Sequence, residues 1–373
     1  MGRRSEAAEE HRARRESLLA ARPHLGALER PNPWTLAFVP CLVALHGSVA
    51  WAVRGGGVLV VGLAAATVGQ TILHAGGALV HETAHGLVFR GRTGRRVVDV
   101  ALEVLLTSFG HHAQYQRDHV VSHHPHLGDY ARDYEHKDLG RLTARARLRR
   151  DRPVVDRALL ALHLVLDAVP LGFLVSDDLV ASLEERLGTG PFDDPSRDVP
   201  RRPVPRTWRA VLVLVSAATL ATVAFALGPW ALLYVVWSLS FFQGRWGVTN
   251  LGQVIAEHPD AFPHGPATRS YYGRWNLVLF NTGYHDEHHT FPRVPWNRLP
   301  ALRRGTADVP GSFGVAYGRS YVAAWRAHVS GGVLRRPSVP ASTRLANALT
   351  APRASSNARP KAPSTSLPSS PRP

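Results

Sequence analysis

The stretch GGGVLVVGLAAATVGQTILHAGGALVHETAH, residues 55–85, decides the fold. From Gly55 to His81 it carries no charged side chain, and about 20 apolar residues are enough to cross a bilayer. It then ends on His81-Glu82-Thr83-Ala84-His85, whose two histidines lie one helical turn apart on one face. An apolar span that delivers paired imidazoles at its end points to a membrane protein with a metal site at the bilayer surface.

Working outward, residues 31–53 are also uncharged, and only Arg54 and Gly55-Gly56-Gly57 separate the two runs. Together they read as a transmembrane hairpin. Arg90, Arg92, Arg95 and Arg96 follow the second run, which places the first histidine cluster on the cytoplasmic side by the positive-inside rule. Residues 97–110 are apolar except for Asp99 and Glu103, an i,i+4 pair that suits a helix lying in the membrane interface. A second amphipathic stretch covers 157–176, interrupted by Asp167 and Pro170, and 177–209 read as loop. Residues 210–244 are again uncharged. As one helix they would run roughly 52 Å, against a hydrocarbon core of roughly 30 Å, so Gly228-Pro229 is read as a break between two spans.

The expected fold is therefore all-α and multi-pass. Four transmembrane helices carry a cytosolic helical cap that holds a di-metal centre. Residues 1–33 form a basic cytoplasmic arm, 34–334 the membrane domain and 335–373 a disordered Pro/Ser/Arg-rich tail. The net charge of +16 fits arginines facing one aqueous side, and the long apolar runs favour that over nucleic-acid binding. Cys41 is the sole cysteine, which excludes disulfides and thiolate metal sites. No cleavable signal peptide is expected from the charged N-terminal stretch.

Two further clusters follow the first: His119-Val120-Val121-Ser122-His123-His124 and His285-Asp286-Glu287-His288-His289. With four crossings, all three fall on one side of the membrane. Eight imidazoles exceed what one zinc takes and suit two first-row metals with four nitrogens each. Spacing alone leaves iron, copper, nickel and zinc open. His81-Glu82-Thr83-Ala84-His85 also matches the zinc-protease helix H-E-x-x-H, with Glu82 as general base. That reading leaves the other two clusters without a purpose. Glu82-x-x-His85 matches half of the di-iron carboxylate bundle motif, but no second Glu-x-x-His is present.

The order and spacing of the three boxes resemble the membrane fatty acid desaturase superfamily over roughly residues 34–330. Ser270-Tyr271-Tyr272-Gly273, then Asn281-Thr282-Gly283-Tyr284-His285-Asp286-Glu287-His288-His289 and Phe291-Pro292, are similar to the sphingolipid desaturase branch. So is Ile255-Ala256-Glu257-His258 just upstream. Gln253 stands where that branch would have histidine, and Gly86 where it would have asparagine.

The resemblance implies two iron ions (Fe2+) held by His81, His85, His119, His123, His124, His285, His288 and His289, with His258 as a ninth ligand. It implies a membrane oxidoreductase that uses dioxygen and two electrons to desaturate a lipid acyl or sphingoid chain. Hydroxylation or ketolation of lipids or carotenoids is the alternative. With no dinucleotide-binding turn or haem-binding segment evident, electrons are expected from a separate donor, a ferredoxin or a cytochrome b5-type protein with its reductase, steered by the basic face.

Asp118, Asp286 and Glu287 are candidates to orient the ligand imidazoles. His111, His112, His126 and His136 are read as flanking groups, and His46, His74 and His163 as satisfied core or interface histidines. The aromatic run Trp230–Trp246 reads as an interfacial belt and channel lining. Reporter fusions at the C-terminus should give a cytoplasmic signal and fusions in the 54–57 turn an external one. An external C-terminus would separate the boxes and refute the four-span topology.

Overall fold

The computed structural model describes residues 4–129, 132–135, 152–187, 200–258, 268–313 and 320–330. The expected tail at 335–373, His136 and His264 lie outside them. The regular secondary structure of the described residues is helical, with no β-strand.

Helix α1 (Glu6–Ala21) begins at Ser5, whose Oγ accepts from the Ala8 amide. Two short 3-10 turns lead into α2 (Phe38–Val53), and a tight turn with Gly57 at φ +70° reverses the chain into α3 (Gly57–Ala84). One π-helical turn, Ala65–Gly69, interrupts α3 where it crosses the helix Pro229–Gln243. A Cβ on Gly69 would lie 2.8 Å from the Ser238 Cβ and 3.2 Å from the Tyr234 ring. The glycine is what lets the two backbones approach.

Helix α4 (Arg92–Leu106) buries Val98, Leu102, Leu105 and Leu106. Asp99 and Glu103, expected on an interfacial face, point inward instead. Asp99 accepts from Trp208 Nε1 at 3.2 Å, and Glu103 from the Gly110 amide at 3.0 Å and from the Ser216 hydroxyl. They tie α4 to α8 (Arg206–Leu227), because a carboxylate buried beside lipid must be hydrogen-bonded.

Helix α5 (His111–Asp118) continues through a π turn, His119–His123, into His124–His126. Helices α6 (Pro153–Ala168) and α7 (Phe173–Arg186) form a hairpin that turns at Pro170. Two members of the aromatic run hold it: Trp246 Nε1 donates to the Leu164 carbonyl at 2.7 Å and Trp237 Nε1 to that of Ala168 at 2.8 Å. These indoles bond carbonyls of the last turns of α6, a role beyond an interfacial belt.

Gly228 (φ +85°) stops α8, and Pro229 opens α9 (Pro229–Gln243), so the long apolar run breaks where expected. Among the described residues, three segments are long and apolar enough to cross a membrane: Pro23–Val53, Gly57–Ala84 and Arg206–Leu227. Helix α9 has 15 residues, about 22 Å of rise, short of a full hydrocarbon core. It is the most enclosed of the apolar helices, packed on α2, α3 and α8. Ala50, Val61, Ala65, Ala231 and Tyr234 close that core.

Helix α10 (Asn250–Glu257) lies along α13 (Tyr321–Val329), and α11 (His285–Thr290) and α12 (Leu299–Gly305) complete the histidine-bearing end. A Cβ on Gly252 would sit 2.2 Å from the Tyr321 carbonyl oxygen, a backbone atom that cannot swing aside. Gly252→Ala should therefore lower stability by about 1–3 kcal/mol, the usual cost of overpacking. A thermal midpoint equal to wild type would show that α13 is free to shift.

Candidate metal centre

Helix periodicity would aim both His119 and His123 at one point. The π turn changes this: one extra residue per turn rotates His123 away and brings His124 alongside His119. The nine expected ligands fall into two groups. One holds His81, His85, His119, His124 and His288, and the other His123, His258, His285 and His289; within each, the nitrogens lie within 4.8 Å of one another. An equal split of eight is thus replaced by five and four. Box one serves the first group alone, boxes two and three serve both, and His258 brings the second group to four.

The nitrogens converge closely. Nε2 of His124 is 3.1 Å from that of His119 and 3.2 Å from that of His288. Nε2 of His123 is 3.2 Å from that of His289, and those of His258 and His285 are 2.8 Å apart. Three of the rings have their other nitrogen on a carboxylate: His119 Nδ1 on Glu135 at 2.7 Å, His123 Nδ1 on Asp133 at 3.0 Å and His285 Nδ1 on Glu257 at 3.2 Å. A ring that donates from Nδ1 presents a lone pair at Nε2.

Protons cannot satisfy this arrangement. His124 Nε2 faces two other Nε2 atoms, and one proton serves only one such pair. His85 Nε2 is buried with no hydrogen-bond partner among the described residues. Burial, reinforced by neighbouring imidazoles, holds His119, His124, His285, His288 and His289 well below the usual histidine range, so they are neutral donors. His123 runs the other way: burial opposes its charge, but Asp133 and Glu135 outweigh that and raise it to about 9. Carboxylates that favour a proton there equally favour a metal cation at the same lone pair. An all-imidazole, thiolate-free set fits two first-row metal ions.

The carboxylates nominated from sequence point elsewhere. Asp118 accepts from Gln114 at 2.9 Å, Asp286 from Arg14 at 2.9 Å, and Glu287 from Ser270 and Tyr272 at 2.5 Å each. The ring partners are Asp133, Glu135 and Glu257. Only Glu257 carried a signal, standing beside His258 in the quoted segment. Glu82, the general base of the zinc-protease reading, is buried and accepts from the Trp296 amide at 3.2 Å.

Three other histidines have local partners. His46 meets the Tyr234 hydroxyl at 3.1 Å, His112 meets Glu103 at 2.9 Å and His163 meets Asp177 at 3.2 Å. His74 joins a chain that reaches the second group. Thr249 Oγ1 is 2.8 Å from His74 Nδ1, His74 Nε2 is 2.5 Å from Gln253 Oε1, and Gln253 Nε2 donates to Glu257 at 2.8 Å. Gln253, which departs from the sphingolipid pattern, is the link that closes this chain.

A model of the fatty acid desaturase family matches residues 50–321, a span that holds all nine histidines. The chain belongs to the fatty acid desaturase family. It is therefore an oxidoreductase of a family that acts on lipid chains.

Among curated relatives, a human sphingolipid delta(4)-desaturase/C4-monooxygenase is 30% identical over 79% of this chain and 80% of its own length. An Arabidopsis thaliana sphingolipid delta(4)-desaturase-like protein is 26% identical over 79% and 78%. A bovine sphingolipid delta(4)-desaturase is 42% identical over a shorter stretch, 23% of this chain and 26% of the relative. No solved structure matches the chain.

Glu135 fixes His119 and also lies 3.5 Å from His123, so it touches both groups. Glu135→Ala should weaken metal affinity about 10–100-fold, as loss of a ligand's hydrogen-bond partner does elsewhere. Competition with a chelator measures this, and unchanged metal retention would mean that the carboxylate is dispensable.

Proposed function

We propose that this chain is a membrane lipid desaturase in which the nine histidines hold two iron ions, acting on an acyl or sphingoid chain. The observation that carries the reading is the pair of all-imidazole groups, set inside the span that matches the desaturase family. The family argues for iron, which ligand chemistry alone leaves open. When bound, the two ions supply dioxygen activation, with two electrons, for removing hydrogen from an unactivated methylene.

The residues do the rest. His81, His85, His119, His124 and His288 would hold one ion, and His123, His258, His285 and His289 the other. Asp133, Glu135 and Glu257 fix the rings from behind. Six of the nine ligands are buried and His81, His85 and His124 are half-buried, which limits water at the reacting centre.

An apolar cavity of about 520 Å³ lies between α2 and α3, walled by Leu42, Leu45, Ile72, Val248 and Trp275. Such a space accepts hydrocarbon and offers little to a polar substrate. Thr249 is on its wall, so the Thr249–His74–Gln253–Glu257 chain connects the cavity with His285.

A four-span topology with the centre on the cytoplasmic side of the cell membrane fits the arginines at 90–96 and 201–209. A separate ferredoxin or cytochrome b5-type donor would then dock on a basic face. Hydroxylation is the second reading, favoured because the human relative's name includes a C4-monooxygenase activity.

Elemental analysis of the detergent-purified protein should find close to two irons per chain. Lipid profiles of an expressing strain should gain an unsaturated product that His258→Ala abolishes while lowering iron at similar expression. One tightly held zinc without iron would end this reading. Full iron and activity in His258→Ala would remove His258 from the ligand set.

A further inference from the structure

A histidine outside the three boxes sits against the second group. His11, on α1, is 7% exposed, and its ring centroid is 5.6 Å from that of His289. Both of its nitrogens are engaged. Nδ1 lies 2.9 Å from Thr290 Oγ1, and Nε2 lies 3.1 Å from Thr268 Oγ1. Thr290 gives its proton to the Asp286 carbonyl at 2.9 Å, so its oxygen accepts from His11 Nδ1. Nε2 is then left with its lone pair toward Thr268 Oγ1, whose single proton is shared between that nitrogen and Asp286 Oδ1 at 2.9 Å. Burial holds His11 at about 4, which agrees with that neutral tautomer.

The two threonines are not ordinary neighbours. Thr290 directly follows His289. Thr268 precedes Arg269, whose amide donates to the Glu257 carbonyl at 2.8 Å, beside His258. Through one imidazole, α1 therefore bridges the backbone that carries two of the four nitrogens of the second group. The rest of α1 is held in place around it. Ser5 Oγ donates to the Leu127 carbonyl at 2.8 Å, next to box two. Arg14 grips both oxygens of Asp286 at 2.9 Å in box three. Leu18 packs with Phe291, Val294, Leu299 and Leu302.

We infer that His11 is a positioning residue for the four-histidine group: it ties Thr268 to Thr290 and so fixes His258 and His289 toward one metal ion. The N-terminal helix is part of the metal site, not a free basic arm. This inference rests on the two-ion reading above. It adds a specific asymmetry, since His11 acts on one group and leaves the five-histidine group to its own partners.

The test is iron release from the full-length purified protein into a ferrous chelator, followed with time, with helix content from circular dichroism. His11→Phe fills the space without either hydrogen bond, His11→Gln keeps a donor and an acceptor, and Arg12→Ala on the exposed face is the control. In His11→Phe one of two irons should leave at least about tenfold faster, the other at the wild-type rate, with helix content unchanged. His11→Gln should restore most of the retention, and Arg12→Ala should match wild type. Wild-type release of both irons from His11→Phe overturns the inference. So does equal acceleration of both, or a His11→Gln as leaky as His11→Phe. A wild-type protein that binds no iron refutes the two-ion reading itself, and this inference with it.

Discussion

Everything at the histidine-bearing end of this molecule answers to one constraint: nine imidazoles, six buried and three half-buried, must each aim a nitrogen inward. An imidazole ring can rotate and can carry its proton on either nitrogen. Each must therefore be fixed by what it does with the nitrogen facing away from the centre. Asp133, Glu135 and Glu257 do this for three rings. Their own burial is tolerable only because further donors serve them, such as Tyr134 on Glu135 and Tyr321 on Glu257. The site is thus a shell of polar groups around the nitrogens, enclosed by α10, α11 and α13 and standing on the ends of α3 and α5.

The two apolar hairpins and the three boxes were legible because each depends on residues close in sequence. A charge-free run of sufficient length needs no knowledge of its neighbours, and neither does an i,i+4 pair. The break at Gly228-Pro229 was legible for the same reason. What sequence could not show was the division of the boxes between two groups. It turns on one π turn at His119–His123, and no residue type there announces an extra residue per turn. The matching interruption at Ala65–Gly69 was equally silent, although Gly69 now has a clear purpose against Ser238.

The carboxylates show the same limit. Asp118, Asp286 and Glu287 were nominated because they adjoin the boxes, whereas Glu135 reaches His119 across sixteen residues and Glu257 reaches His285 across twenty-eight. On a short helix, adjacent side chains diverge, so a residue beside a ligand is poorly placed to touch it. Asp99 and Glu103 teach the complementary lesson. A charged pair on an apolar helix looked like a solvent-facing edge, but Trp208 and Ser216 a hundred residues later gave it a reason to face inward. His11 is the extreme case, since its partners stand more than 250 positions away.

The distribution of these groups along the chain has a consequence for biosynthesis. Helix α1 leaves the ribosome before the other elements described, the second apolar hairpin after residue 200, and His285–His289 later still. Neither nitrogen group can be complete until box three has emerged, because His288 belongs to one and His285 and His289 to the other. The first two boxes must wait, half-assembled, while the later helices enter the bilayer. Capture of the proposed metal ions can therefore only follow the synthesis of box three, and α1, made before the other helices described, packs against it.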